Sequence, residues 1–279
     1  MAYLLLTALA MLAFAANSIF CRMALGEATI DAASFSSIRL LSGALTLGAI
    51  LFYRQRGFAR GSVNILSTLM LFVYAICFSF SYIRLATGSG ALILFGTVQL
   101  TMILYGLYKG ERPGKLAWLG IAAAFSGMVY LLMPSVTAPP LFSSLLMVIA
   151  GLAWGGYTLR GKGSRQPLAN TAWNFIGTLP LVLLTEIFFF SQSRLSTEGI
   201  TLAILSGSLA SGIGYAIWYR ALPQLSPTHA ATVQLSVPVI AAFGGVALMA
   251  EPISLRMIIS GIVVLGGIYL TIRSVNATA

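Results

Sequence analysis

Charge is what this sequence has least of. Of its 279 residues, 8% are Asp, Glu, Lys or Arg, against about 25% in an average soluble domain. A globule of this length could not cover itself with so few polar groups, which excludes a soluble enzyme or binding domain. No long polar segment interrupts the chain, so any activity must lie within a bilayer. Cysteine is almost absent. Cys21 and Cys77 offer no disulfide framework and read as small buried hydrophobes. There is no HExxH pair, no Cys–His cluster, no GxSxG elbow and no phosphate-binding loop. The chain therefore reads as a non-enzyme without a cofactor, and ATP-driven transport would need another subunit. Six acidic residues stand against sixteen basic ones, a net charge of +10.

What is present is apolar sequence in long runs: 58% of residues are hydrophobic and the mean hydropathy is +0.94. The runs are about 20 residues long without period-2 alternation, the signature of membrane-spanning helices. Ten spans are expected, at about 2–21, 32–53, 64–83, 88–108, 115–133, 141–159, 170–190, 199–220, 227–250 and 253–272. The first run lacks a basic leader, so it is read as a span and not as a signal peptide. Basic residues orient the bundle. With the N-terminus inside, eleven fall in cytoplasmic connections: Arg54, Arg56, Arg60, Lys109, Arg112, Lys115, Arg160, Lys162, Arg165, Arg220 and Arg273. Four face the other side (Arg22, Arg84, Arg194 and Arg256), and Arg39 lies within the second span. Both termini are thus expected in the cytoplasm. The positive charge is accounted for by orientation in a cytoplasmic membrane, and nucleic-acid binding is not needed. The tryptophans Trp118, Trp154, Trp173 and Trp218 fall near cytoplasmic span ends, as an interfacial belt would.

The chain repeats itself. "TVQLT" at 97–101 and "TVQLS" at 232–236 align Gln99 with Gln234. "LAFAANSIFCR" at 12–22 aligns with "LAWGGYTLRGK" at 152–162, Glu111 with Glu251, and "PGKLAWLGIAAAFSGMVYL" at 113–131 with "PISLRMIISGIVVLGGIYL" at 252–270. Two units of five spans result, 1–135 and 136–279. Five is odd, so the second unit enters the membrane from the opposite side, and inverted repeats of this kind place a binding site near the midplane between the halves. The expected fold is all-α: ten transmembrane helices as a 5+5 inverted-topology repeat.

Several side chains could line such a site. Gln99 and Gln234 place an amide in each half, suited to a zwitterion or equally to inter-helix bonding. Tyr74, Phe78 and Tyr82, spaced by four, share one helix face. Trp154 pairs with Tyr157, and Tyr215 with Trp218. Aromatic walls suit a flat organic solute, and ordinary packing would use the same residues. Asn17 adds a polar contact in the first span. Pro238 and Pro180 each remove a helix hydrogen bond, leaving the carbonyls of Gln234 and Ile176 in need of other partners. Glu111 and Glu251 precede new helices and are expected to complement the following N-terminus. Arg39 and Glu186, toward the outer side, could pair, form part of an outer gate or equally snorkel to the interface. His229 is read as a polar residue at the interface.

"ANSIFCRMAL" at 16–25, "SSIRLLSGAL" at 36–45 and above all "HAATVQLSVPVIAAFGGVALMAEPISLRMIISGIVVLGGIYL" at 229–270 resemble the EamA-type drug/metabolite transporter superfamily. The resemblance covers nearly the whole chain. Within the superfamily, the length and the aromatic-rich spans are similar to the YddG-type exporters of aromatic amino acids. One departure is Ile103, where the family often has a proline matching Pro238. The resemblance implies a secondary carrier that exports small organic metabolites by alternating access, with an amino acid of aromatic or hydrophobic side chain as the expected substrate. Its partners would be that solute and membrane lipid, with no obligate protein partner. A nucleoside, a sugar or a drug-like amine stays open as the substrate class, as does a scaffold that carries nothing.

Overall fold

The computed structural model describes residues 2–55, 63–110, 114–133, 138–161, 164, 166–221 and 233–276. Among these, all regular structure is helical apart from an isolated antiparallel bridge between Ile30 and Leu195. Helix α1 is Ala2–Gly26, α2 Ala32–Gln55, α3 Ile65–Tyr82, α4 Thr87–Tyr108, α5 Lys115–Leu132 and α6 Leu141–Gly161. The seventh apolar run is divided into α7, Pro167–Gly177, and α8, Leu179–Phe189. The eighth comprises α9, Thr197–Ile204, a π-helical stretch Leu205–Ile213, and α10, Gly214–Ala221. Helices α11, Ser236–Met249, and α12, Leu255–Asn276, complete the set.

Among the described residues, seven apolar helices or continuous helical runs are long enough to cross a membrane; Lys115–Leu131, Ser236–Met249 and Leu255–Thr271 form three shorter apolar helices. The bundle shows its grease to the outside. Phe125, Leu183, Ile187, Phe188, Phe243 and Ile262 are all exposed, which in water would aggregate and in lipid is solvation. The chain is a multi-pass integral membrane protein.

Prolines mark both interruptions. The seventh run breaks at Thr178, and Pro180 occupies the first turn of α8, where a missing amide costs nothing. The segment before α11 is helical at Val233 and Gln234, turns at Leu235 and resumes at Ser236, with Pro238 in the new first turn. Of the expected tryptophan belt, Trp118 is exposed, whereas Trp218 is buried and Trp154 half-buried. Those two rings serve the interior. His229, Glu111 and Pro113 lie outside the described residues.

Close helix contacts rest on small residues. A Cβ on Gly207 would overlap the Arg39 carbonyl and Ser42, and one on Gly212 would meet Thr46, so the π-helical stretch lies directly against α2. Gly120 packs on Gly267 and Gly127 on Val264, while the Thr271 hydroxyl donates to the Ala117 carbonyl at 3.3 Å. Rising positions on α5 meet falling positions on α12, so these two helices run antiparallel. They carry the aligned segments 113–131 and 252–270. Helix α4 packs on α11, and α2 on α7 and α8.

Candidate functional site

The chain order places Arg22, Tyr82, Thr87 and Glu251 at one end of the bundle and Asn64, Arg160 and Tyr219 at the other. Between them lies a cavity of about 20 Å³ lined by Phe14, Asn17, Ser18, Tyr74, Phe78, Leu94, Phe95, Trp154, Ala210, Ser211 and Tyr215. It would hold roughly one water molecule and is smaller than any amino acid.

Periodicity delivers its walls. Phe14, Asn17 and Ser18 share a face of α1, Tyr74 and Phe78 a face of α3, and Leu94 and Phe95 sit midway along α4. The π-helical stretch contributes Ala210 and Ser211; such widened turns recur at functional sites. The rings contact one another. Tyr74 lies 5.4 Å from Phe78 and 4.9 Å from Trp154, and Trp154 stacks on Tyr215 at 5.2 Å and on Tyr157 at 5.5 Å.

A buried polar chain runs behind the rings. The Ser206 hydroxyl donates to Asn17 Oδ1 at 2.7 Å, Asn17 Nδ2 donates to the Tyr74 hydroxyl at 3.3 Å, and Arg39 Nη2 donates to the same hydroxyl at 3.0 Å. The Arg39 guanidinium lies 5.2 Å from the Tyr74 ring centre and 4.9 Å from that of Phe78, within cation–π range. Among the described residues Arg39 makes no ion pair with Glu186; it points to Tyr74 instead. Glu186 is half-buried on α8 with Oε1 lacking a partner.

Five residues expected from sequence line this cavity: Asn17, Tyr74, Phe78, Trp154 and Tyr215. Four do not. Tyr82 is fully buried one turn beyond Phe78, edge-on to it at 4.8 Å, and its hydroxyl donates to the Thr87 carbonyl at 3.3 Å. Tyr157 lines a second cavity, described below. Gln99 is buried one turn past Phe95, and its side-chain nitrogen has no hydrogen-bond partner. Gln234 is half-buried just before the break at Leu235. Phe14, Ser206 and Ser211 carry no signal that separates them from the many apolar and small residues around them. Arg39 does, as a charge inside a span.

At the Arg22 end the bundle is clamped. Arg22 Nε donates to Glu251 Oε1 at 2.8 Å, and Nη1 reaches the carbonyls of Tyr82 at 3.1 Å and Ile83 at 3.2 Å. Glu251 Oε2 accepts from the Thr87 amide at 2.7 Å. Glu251 thus serves a helix N-terminus, but that of α4 and not of the helix that follows it. Ala250 turns left-handed at φ 51°, and Ser254 caps the following helix by accepting from the Met257 amide at 3.1 Å. Nearby, Asp31 accepts from the amides of Ser34 at 2.9 Å and Arg194 at 3.0 Å. A surface cavity of about 540 Å³ lies between this loop and Phe189; it shares no lining residue with the central one.

At the Arg160 end a polar cavity of about 150 Å³ is lined by Asn64, Ser67, Tyr157, Arg160, Gly161, Ser164, Pro167, Asn170, Thr171, Asn174 and Tyr219. Arg160 donates to the Ser67 hydroxyl at 3.2 Å and to Asn64 Oδ1 at 3.0 Å. Asn64 also caps α3 by accepting from the Ser67 amide at 3.0 Å. Trp154 touches the central cavity and its neighbour Tyr157 this one, so the two spaces are separated by stacked rings. No group of His, Cys, Asp and Glu among the described residues could hold a metal ion.

Residues 141–273 match the EamA-like transporter family. An uncharacterized transporter of Archaeoglobus fulgidus is 30% identical, over 96% of each chain. The chain belongs to the EamA-like transporter family. An uncharacterized protein of Pseudomonas aeruginosa is 50% identical over 96% of this chain and 93% of its own. A probable amino-acid metabolite efflux pump of Salmonella typhimurium is 22% identical over 66% of this chain and 67% of its own. One crystal structure shares the fold with a TM-score of 0.67 at 16% identity, covering 95% of this EamA-type chain and 96% of its own. Transport is therefore the activity of this chain.

Proposed function

We propose that this EamA-type transporter is a secondary carrier that exports amino acids with aromatic or hydrophobic side chains across the cytoplasmic membrane. Ten spans form two inverted halves, 1–135 and 136–279, with both termini in the cytoplasm, and the halves rock around the central cavity to expose it to either side. The observation that carries the reading is the cavity itself: rings from α1, α3, α6 and α10 surround a small space beside buried amide, hydroxyl and guanidinium groups. Flat apolar side chains are held by such rings, and the polar groups suit an amino acid backbone. The antiparallel contact of α5 with α12, whose sequences align, supports the inverted arrangement. The name of the Salmonella relative supports outward transport of an amino-acid metabolite.

In this arrangement the carrier is closed. The Arg22–Glu251 clamp seals the outer end, and the ring stack of Trp154 with Tyr157 and Tyr215 separates the cavity from the polar space at the cytoplasmic end. Asn17, Tyr74, Phe78, Trp154 and Tyr215 are the walls. Tyr82 belongs to the route outward, Tyr157, Gln99 and Gln234 to the route inward. The test is counterflow in proteoliposomes, with labelled tryptophan, phenylalanine, a nucleoside and a sugar supplied in turn. Saturable tryptophan or phenylalanine flux, competed by close analogues, is the expected result. Saturable flux of the nucleoside or sugar alone would move the substrate class, and no flux of any solute would leave a scaffold.

A further inference from the structure

Among the described residues, a cation stands inside this bundle with no anion beside it. Arg39 is 2% exposed and lies about two turns into α2. Its Nη2 has the Tyr74 hydroxyl, whereas Nη1 is buried without any partner. The one ion pair among the described residues joins Arg22 to Glu251, and neither Asp nor Glu lines the central cavity. Removing a guanidinium from water is costly, and two flanking rings offset only part of that cost. A buried cation left in this condition calls for negative charge from elsewhere.

The neighbouring wall is rich in hydrogen-bond donors. The Tyr74 oxygen accepts from both Arg39 and Asn17, so its remaining capacity is its own O–H. Asn17 Oδ1 is occupied by Ser206, which leaves the second hydrogen on Nδ2. The Ser18 hydroxyl also lines the cavity and is buried. A guanidinium beside spare O–H and N–H groups selects an acceptor-only anion, and a planar carboxylate is the organic group that matches it. A bare amine would meet the like charge of the guanidinium there.

We infer that Arg39 is the anchor for the carboxylate of the transported solute, which reaches Nη1 and the Tyr74 hydroxyl when the cavity widens between Phe78 and Trp154. The solutes are then aromatic carboxylates, amino acids among them, and not amines, nucleosides or neutral sugars. This deepens the carrier reading and takes the word "transported" from it, whereas binding of the anion can be measured alone.

The experiment has two arms on the purified full chain. Thermal stability in detergent is read with 3-phenylpropionate, phenylalanine, phenethylamine and phenylalaninamide. The two carboxylates should raise the melting temperature in a saturable way, with apparent affinity at least tenfold above that of the amine and the amide. Arg39→Gln should abolish that preference, and Arg39→Lys should keep it with weaker affinity. Competition against labelled phenylalanine in wild-type proteoliposomes provides a second measure that does not depend on the folding of Arg39→Gln: 3-phenylpropionate should compete and phenethylamine should not. Equal binding of amine and carboxylate, no binding of either carboxylate, or full carboxylate preference in a folded Arg39→Gln protein would each overturn the assignment. Flux of amines without carboxylates sinks the anchor and leaves the carrier. Carboxylate binding without flux of any solute sinks the carrier and leaves the anchor.

Discussion

The two ends of the bundle are held by different chemistry. At the Arg22 end one charged pair ties together four pieces of chain: α1, the carbonyls that close α3, the first amide of α4 and the turn after α11. At the Arg160 end neutral groups dominate, and several of the side-chain contacts between them are long. Tyr157 donates to Thr171 at 3.3 Å, Asn174 to Tyr157 at 3.4 Å, Thr171 to Tyr219 at 3.4 Å and Thr68 to Asn174 at 3.5 Å. A partly buried ion pair that breaks leaves a charge poorly solvated, so it behaves as a latch. Long hydroxyl and amide contacts exchange readily with water or a ligand at little net cost. The difference teaches that opening the first end needs one concerted event, whereas the second loosens by degrees.

The sharpest way to break this comparison is Glu251→Ala. It removes the anion from Arg22 and the cap from Thr87, a loss of about 2–3 kcal/mol from the closed form, equivalent to roughly 30- to 150-fold in the open population. Cys21 is fully buried beside Arg22 and reports it. In a Cys77→Ser background, a water-soluble thiol reagent should label Cys21 faster by about that factor. Arg160→Ala should leave Cys21 labelling unchanged. Equal rates in wild type and Glu251→Ala would show that the latch does not hold the end closed.

Trp154→Ala tests the layer between the two cavities. The indole stacks on Tyr157 and Tyr215, and removing it should join the central space to the polar one. Counterflow should lose about tenfold in apparent affinity, consistent with one aromatic pair and part of a binding wall, while Trp154→Phe keeps most of it. A smaller effect is expected from Gln99→Met, which removes a buried donor without a partner. Stability should hold or rise by about 1 kcal/mol, as read by thermal melting. A fall in counterflow despite that would place the Gln99 amide on the inward route. The smallest change belongs to Asn64→Ala at the loose end. Loss of the α3 cap costs about 1 kcal/mol, seen as a modest drop in melting temperature with no change at Cys21.

Much of the architecture was legible because a bilayer constrains it so strongly. Helices were readable from apolar runs, since every backbone group must be satisfied within its own segment. Both interruptions were readable from Pro180 and Pro238, which cannot donate. The aromatic face of α3 was readable from a spacing of four. Glu251 was legible only in part. Its neighbour Ser254 is the better cap for the next helix, and the left-handed turn at Ala250 sends the carboxylate across to α4 instead. Gln99 and Gln234 drew attention as a matched pair, yet what lines the central cavity is aromatic and small. The ends of the apolar runs gave Trp154 and Trp218 as belt residues, because periodicity cannot tell which face of a helix meets lipid and which meets another helix.

The sequence by itself determined that this chain lives in lipid, that its segments are helical, where they break and which family it joins. Those properties follow from local composition, from the missing amide of proline and from residues that can be aligned. Only the tertiary structure decided that Asn17, Arg39, Tyr74 and Ser206 form one buried chain, that Arg22 finds Glu251 across 229 positions, and that among the described residues Arg39 is left without an anion. Those facts depend on which faces of distant helices meet, and in a chain that is apolar on almost every face no periodic pattern encodes the pairing.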